Sequence, residues 1–207
     1  MYIPAFNKMT DLDAIISFIQ RFSFGTIVTT ETTGRPVATH LPFLIEKTAT
    51  ELTLLSHFAK ANPQWQHIAA NENILVIFSE PHAYISPTHY EQELSVPTWN
   101  YITVHLYGRG ELITDPQQVM DLLDRTVENY EPAYKPAHDA LPKDFIQKMS
   151  KGIVAFKIQV TEIQAKEKLS QNKTKGEQEK IIHTLSASPL TTEQDIAKYM
   201  RENLEKR

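Results

Sequence analysis

The run Thr26-Ile27-Val28-Thr29-Thr30-Glu31, followed by Thr32-Thr33-Gly34-Arg35 and then Pro36-Val37-Ala38-Thr39-His40-Leu41-Pro42-Phe43-Leu44-Ile45-Glu46, sets the architecture. Both flanking runs are rich in β-branched and apolar residues, and a short polar segment with one glycine separates them. That pattern predicts an antiparallel β-hairpin. Before it, Leu12, Ile15, Ile16, Ile19 and Phe22 repeat at helical spacing, behind Thr10-Asp11-Leu12-Asp13, which reads as a capping box. The period therefore changes from helical to two at Gly25.

Beyond the hairpin, Leu52–Ser56 reads as a third strand. Asn62-Pro63 then opens a short helix reaching to about Ala70. Ile74–Ser79 and Ala83–Ser86 are further strands, and Trp99–Ile113 is a long one in which Gly108 and Gly110 mark a bulge or bend. Asp115-Pro116 starts a helix with Val119, Leu122, Leu123 and Val127 inward. Glu131–Pro142, with three prolines, reads as a loop, Lys143–Lys151 as a short helix, and Ile153–Ile163 as the last strand. Two helices, Gly176–Leu185 and Thr192–Leu204, flank Ser188-Pro189. Six or seven strands with hairpin connections and peripheral helices give an α+β, mainly antiparallel fold. The expected division is a barrel domain over 1–165 and a helical tail over 166–207. No βαβ alternation and no Gly-rich phosphate loop is present, so a doubly wound nucleotide fold is excluded.

Composition removes several chemistries. The 207 residues contain no cysteine, which excludes disulfides, thiol nucleophiles, thiolate zinc sites and iron–sulfur clusters. No apolar run approaches the roughly 20 residues of a membrane span, and the expected address is the cytoplasm. The net charge of −4 is uneven: from Ala165 on, nine basic residues face seven acidic ones, whereas the preceding body has 12 against 18. A body of that sign is poorly suited to gripping nucleic-acid phosphate by charge.

Candidate chemistry gathers in two places. Ser56-His57-Phe58-Ala59-Lys60-Ala61-Asn62-Pro63-Gln64-Trp65 brings a hydroxyl, an imidazole, an ammonium and first-turn amides to a strand-to-helix junction, as a phosphate requires. Lys60 is the lone Lys or Arg between Lys47 and Arg109. Pro81-His82-Ala83-Tyr84-Ile85-Ser86-Pro87 and Val96-Pro97-Thr98-Trp99-Asn100-Tyr101 combine aromatic faces with amides, a slot for a planar ring with a polar edge. His40, His57, His67, His82, His89 and His105 lie within one third of the chain but show no metal-ligand spacing, so no metal site is expected. No nucleophile elbow accompanies Ser56-His57. Asp11 and Asp13 read as caps, and Glu91 and Glu93 fall in a polar loop, so no catalytic dyad is expected. The tail helices could form a helix-turn-helix with Lys198, Arg201, Lys206 and Arg207 toward phosphate, although packing on the body or on a second subunit is the commoner use of such helices.

Taken together with His40-Leu41-Pro42-Phe43-Leu44 and Lys168-Leu169-Ser170-Gln171-Asn172, these motifs resemble the PaiB-type FMN-binding negative transcriptional regulators, a family associated with repression of protease synthesis and sporulation in bacilli. The resemblance implies a split β-barrel homodimer with FMN at the subunit interface. In that class a Ser/Arg/Lys cluster holds the FMN phosphate; Lys60 and Asn62 stand at the matching place, the second cation is missing, and Arg35 or Arg109 is the expected substitute. Ser56 and His57 are expected at ribityl or phosphate oxygens, and Thr98, Trp99 and Asn100 at the ring. The regulatory function carries an enzymatic alternative, a flavin-dependent oxidoreductase or a haem-binding or haem-degrading split barrel. DNA contact is expected either through the tail or indirectly.

Overall fold

The computed structural model describes residues 1–92 and 94–206; Glu93 and Arg207, named above in the polar loop and among the tail cations, lie outside them. In chain order the described elements are α1 (Leu12–Arg21), β1 (Phe24–Thr30), β2 (Pro36–Pro42), β3 (Leu44–Lys47), β4 (Leu52–Ala59), β5 (Ile74–Phe78), β6 (His82–Ile85), β7 (Thr98–Ile113), α2 (Pro116–Tyr130), α3 (Lys135–Asp139), α4 (Lys143–Ser150), β8 (Ile153–Lys168), α5 (Lys175–Ser186) and α6 (Thr191–Glu205). The strands form one sheet in the order β2-β1-β5-β7-β8-β4-β3, with β6 on β7. The predicted hairpin is its first pair, in register from Phe24↔Pro42 to Thr30↔Pro36. Gly34 closes its turn at φ 85°, a conformation that costs glycine little and other residues more.

Several expectations need correction, each for a local reason. The second hairpin run is two strands, because the chain changes partner at Phe43: β2 pairs with β1 as far as Pro42↔Phe24, and β3 pairs with β4 from Leu44↔Leu55 on. The cap of α1 is Asp11, whose Oδ1 accepts from the N–H groups of Asp13 and Ala14, in place of a box led by Thr10. Residues 131–142 are mostly helical: Pro132 and Pro136 stand in the first turns of a 3-10 turn and of α3, where a missing N–H is harmless. Gly108 and Gly110, read as marking a bulge or bend, do not interrupt β7. The strand runs through them, and a Cβ on Gly108 would lie 2.3 Å from Gln159 O, one on Gly110 2.6 Å from Ile68 Cγ2. Finally, β4 runs on to Ala59 and β8 to Lys168, both beyond their predicted ends.

The chain packs as two compact units, one of Met1–Phe18, Phe78–His105 and Gln164–Arg207, the other of Ile19–Ile77 and Leu106–Ile163. The second is centred on Leu54, Phe58 and Phe156, the Phe58 and Phe156 rings stacked 4.9 Å apart. The first is centred on Phe18, Phe78, Ile102, Ile181, Ile196 and Met200, with the Phe18 ring edge-on to Tyr199 of α6 at 6.4 Å. The tail helices thus bury their inner faces in the core of that unit. A capping box starts α5, with Thr174 Oγ1 accepting from Glu177 N–H and Glu177 Oε2 from Thr174 N–H. Among the described residues no helix is long and apolar enough to cross a membrane.

Candidate functional site

In the second unit, the site starts where β4 ends. Its register against β8 runs to Ala59↔Ile153, so the next residue, Lys60, meets Gly152 and donates its N–H to Gly152 O at 2.8 Å. Trp65 Nε1 donates to Lys60 O at 3.2 Å. The Lys60 backbone is held from both sides while its ammonium stays exposed. Asn62 caps the following turn: its Oδ1 accepts from Gln64 N–H at 3.0 Å, and its Nδ2 donates to Thr39 Oγ1 at 3.0 Å. Ser56 is buried and donates to Pro42 O at 2.6 Å. Ser56 and Asn62, expected at ligand oxygens, therefore hold strands β2 and β4 and the turn together. His57 is half-buried beside them, and burial pushes its pKa below the usual imidazole value, leaving it neutral near pH 7.

Lys60 also rims a cavity of about 530 Å³ with Lys151, Gln117 and Gln147 above the apolar side chains of Val119 and Met120. Neither Arg35 nor Arg109 lines it. The second cation at this junction is Lys151, from the segment leading into β8. Sequence reading missed it because only strand pairing brings the Lys60 and Lys151–Gly152 segments side by side.

In the first unit, alternation along β7 puts Trp99 outward and Asn100 inward. Trp99 is 52% exposed and lies 5.9 Å from both Tyr84 and His82, forming the predicted aromatic face. Asn100 does not join that face. It is fully buried, its Nδ2 donates to Ser170 Oγ at 3.0 Å and to Met200 Sδ at 3.5 Å, and its Oδ1 lies 3.1 Å from the same Ser170 hydroxyl. Ser170 takes a left-handed φ of 61°, which this pairing helps to hold. The Lys168–Asn172 motif is thus a built turn: Gln171 Oε1 accepts from Leu169 N–H and its Nε2 donates to Glu167 O. Lys168 Nζ donates to Thr98 Oγ1 and to Trp99 O, and Lys166 Nζ to Tyr101 Oη at 2.7 Å and Tyr2 O. Burial chiefly, and the Lys166 charge secondarily, lower the pKa of Lys168. Of these two lysines, alternate residues of β8, Lys168 was read in sequence only as part of the family motif and Lys166 was missed.

Two of the other histidines have structural contacts, His67 Nδ1 with Thr29 Oγ1 at 3.2 Å and His89 Nδ1 with Ser86 O at 2.8 Å, whereas the buried His105 Nδ1 has no hydrogen-bond partner among the described residues. Asp124, His138 and Asp139 bring three potential ligand atoms within 4.8 Å of one another, but the Lys135 ammonium already occupies Asp139. Of the tail cations expected to face phosphate, Arg201 donates to Ser186 Oγ at 3.2 Å, an internal tie between α6 and α5.

With this geometry in place, comparison with known proteins is specific. A family model described as "Putative FMN-binding domain" matches residues 1–162. Protease synthase and sporulation protein PAI 2 of Bacillus subtilis is 40% identical over 208 residues, covering 100% of this chain and 99% of its own length. Among solved structures, the flavocytochrome Anf3 of Azotobacter vinelandii is similar at a TM-score of 0.63 and 14% identity, over 80% of this chain and 72% of its own. The FAD- and haem-binding protein of Mycobacterium smegmatis is similar at 0.61 and 15%, over 78% and 73%. The fold is therefore of the split β-barrel class, antiparallel with peripheral helices and a two-helix tail.

Proposed function

The chain belongs to the FMN-binding domain family, and from that premise we propose that it is an FMN-binding homodimer acting as a negative regulator of transcription in the cytoplasm. The observation that carries the flavin reading is the pair of ammonium groups, Lys60 and Lys151, on the rim of one cavity at the β4 end. A phosphomonoester needs about two positive charges, and charge-assisted bonds to them are the strong ones. Ser56 and Asn62 serve this end by fixing the strand and turn that present Lys60. Thr98 and Trp99 are assigned to the ring. Each assignment rests on the geometry of its own unit. When bound, FMN would supply a two-electron redox centre whose state a regulator can report. The relative named for protease synthesis and sporulation supports the regulatory reading. The buried inner faces of α5 and α6 support an indirect effect on transcription over a charge-led grip of DNA by the tail.

The test is the visible spectrum of the purified protein after incubation with FMN and desalting, with solution mass measured in parallel. A retained flavin spectrum on a dimer is expected. A Soret band from added haem without flavin retention would instead favour the haem-binding alternative. Lys60→Met and Lys151→Met should each weaken FMN by roughly 10- to 150-fold, the loss of about 1.5–3 kcal/mol per charge-assisted contact. Dissociation constants equal to that of the parent would reject the phosphate assignment.

A further inference from the structure

In the first unit, Lys166 and Lys168 are alternate residues of β8 and point to the same face. Lys166 is only 7% exposed, and the hydrogen-bond partners of both are neutral: the Tyr101 hydroxyl and Tyr2 carbonyl for one, the Thr98 hydroxyl and Trp99 carbonyl for the other. The Tyr2 and Tyr101 rings, 5.9 and 5.0 Å from the Lys166 ammonium, compensate that charge further, whereas Lys168, half-buried with neutral partners, keeps a charge that an anion from outside can meet. Lys168 opens on a cavity of about 310 Å³, at the small end of the roughly 300–1,000 Å³ typical of small-molecule sites. A second ammonium, Lys173, lines the same cavity, held 3.6 Å from the Tyr90 ring centroid, and the Asn172 amide adds a donor. None of the described lining residues is acidic. The carboxylate that acts electrostatically on Lys173 and Tyr90, Glu177, is committed to the N–H groups of Thr174 and Glu91, while Glu91 itself faces Lys180.

Two apolar side chains also line the cavity. Leu94 and Val96, 97% and 78% exposed, stand on the segment that the Glu177–Glu91 bond ties to the start of α5. We propose that this cavity is a binding site for a small organic anion, an apolar body ending in a carboxylate or phosphate, with Lys168 and Lys173 taking the charged end and Leu94 and Val96 covering the body. Thr98, assigned to the flavin ring, also lies on this wall, so the site adjoins the flavin reading, but Lys168 and Lys173, which define it, take no part in that assignment.

The experiment titrates FMN-free full-length protein with benzoate, phenyl phosphate and the neutral benzamide, by calorimetry. Binding of either anion, with benzamide at least tenfold weaker, is expected. Lys168→Met and Lys173→Met should each weaken benzoate at least tenfold, while Lys143→Met, an exposed residue outside both cavities, leaves it unchanged. Lys173, on the surface turn, supplies the arm that survives if Lys168→Met fails to fold. Anion binding indifferent to both lysines, or equal binding of benzamide, would overturn the proposal, as would loss through Lys143→Met alone. FMN retention is measured on the same samples, so a protein that binds the anion but not FMN sinks the flavin reading only. One that retains FMN but ignores the anions sinks this one only. Displacement of the bound anion by FMN would also overturn it, since the cavity would then belong to the flavin.

Discussion

Replacing Gln64 by Leu separates a structural motif residue from a ligand-binding one. Gln64 is 1% exposed, and its Nε2 lies 3.3 Å from Ile27 O, 3.1 Å from Thr29 Oγ1 and 3.0 Å from Val37 O, while its Oε1 accepts from Thr39 Oγ1 at 2.5 Å. One side chain therefore clips β1 and β2 to the turn that follows Lys60. Leucine is close in volume, so the cavity term is small and the loss is polar. The two N–H donors and one acceptor of the amide make three bonds. The buried partners left unpaired cost about 1–2 kcal/mol each, so that less about 1–2 kcal/mol for the apolar side chain buried in exchange the loss is about 2–4 kcal/mol. With a urea slope near 2 kcal/mol/M for a chain of this size, the unfolding midpoint should fall by about 1–2 M at unchanged slope. Urea titration followed by tryptophan fluorescence measures this. A midpoint within about 0.3 M of the parent, together with lost FMN retention, would refute the reasoning and make Gln64 a ligand contact.

Two further outcomes follow from single contacts. Gly108→Ala would drive a Cβ into the Gln159 carbonyl of the neighbouring strand, and overpacking of this kind costs about 1–3 kcal/mol, so the melting temperature should fall by roughly 3–10 °C; Gly176→Ala, whose Cβ meets only Glu91 Oε1 at 3.7 Å in the first turn of α5, is the control that should not melt below the parent. The Glu177 carboxylate is held below its ordinary pKa by the Glu91 and Thr174 N–H groups, so its contribution is present above the ordinary carboxylate value and is lost as pH falls through the lowered one. Melting curves of parent and Glu177→Gln should therefore differ most at neutral pH and converge toward pH 3, and a gap that persists unchanged to low pH would exclude this role.

The hairpin and the helices were legible because each carries its own signal: a glycine at the turn, β-branched runs, an apolar stripe at helical spacing. The ends of β4 and β8 were not, because nothing intrinsic to Ala59 or Lys168 extends a strand. Their partners do: Ile153 pairs with Ala59 at the end of β4, and β7 is the neighbour along which β8 runs on. The prolines of residues 131–142 misled for a related reason. Proline forbids helix interiors but suits first turns, and only the closely spaced short helices actually formed reveal which position each proline holds. Gly108 and Gly110 show the same ambiguity in a strand, where a glycine signals a bend or a close neighbour and only the neighbour, Gln159 O or Ile68, decides.

At the site, residue type was readable and direction was not. Lys60 stood out as an isolated cation and does rim a cavity, whereas Ser56, Asn62 and Asn100 carry the same polar groups and turn them into the fold. For Asn100 a signal existed: in a strand that exposes Trp99, the next residue faces the other way, and an amide facing inward must find internal partners, as it does in Ser170. The cations that complete each cluster had no local signal. Lys151 reaches Lys60 because β8 starts where β4 ends, and Lys166 and Lys168 share a face because β8 runs five residues past its apolar core. Charge placed by sheet register has no sequence pattern shorter than the sheet itself, so a search of these chains for binding cations has to follow the β4–β8 and β7–β8 pairings before it counts lysines.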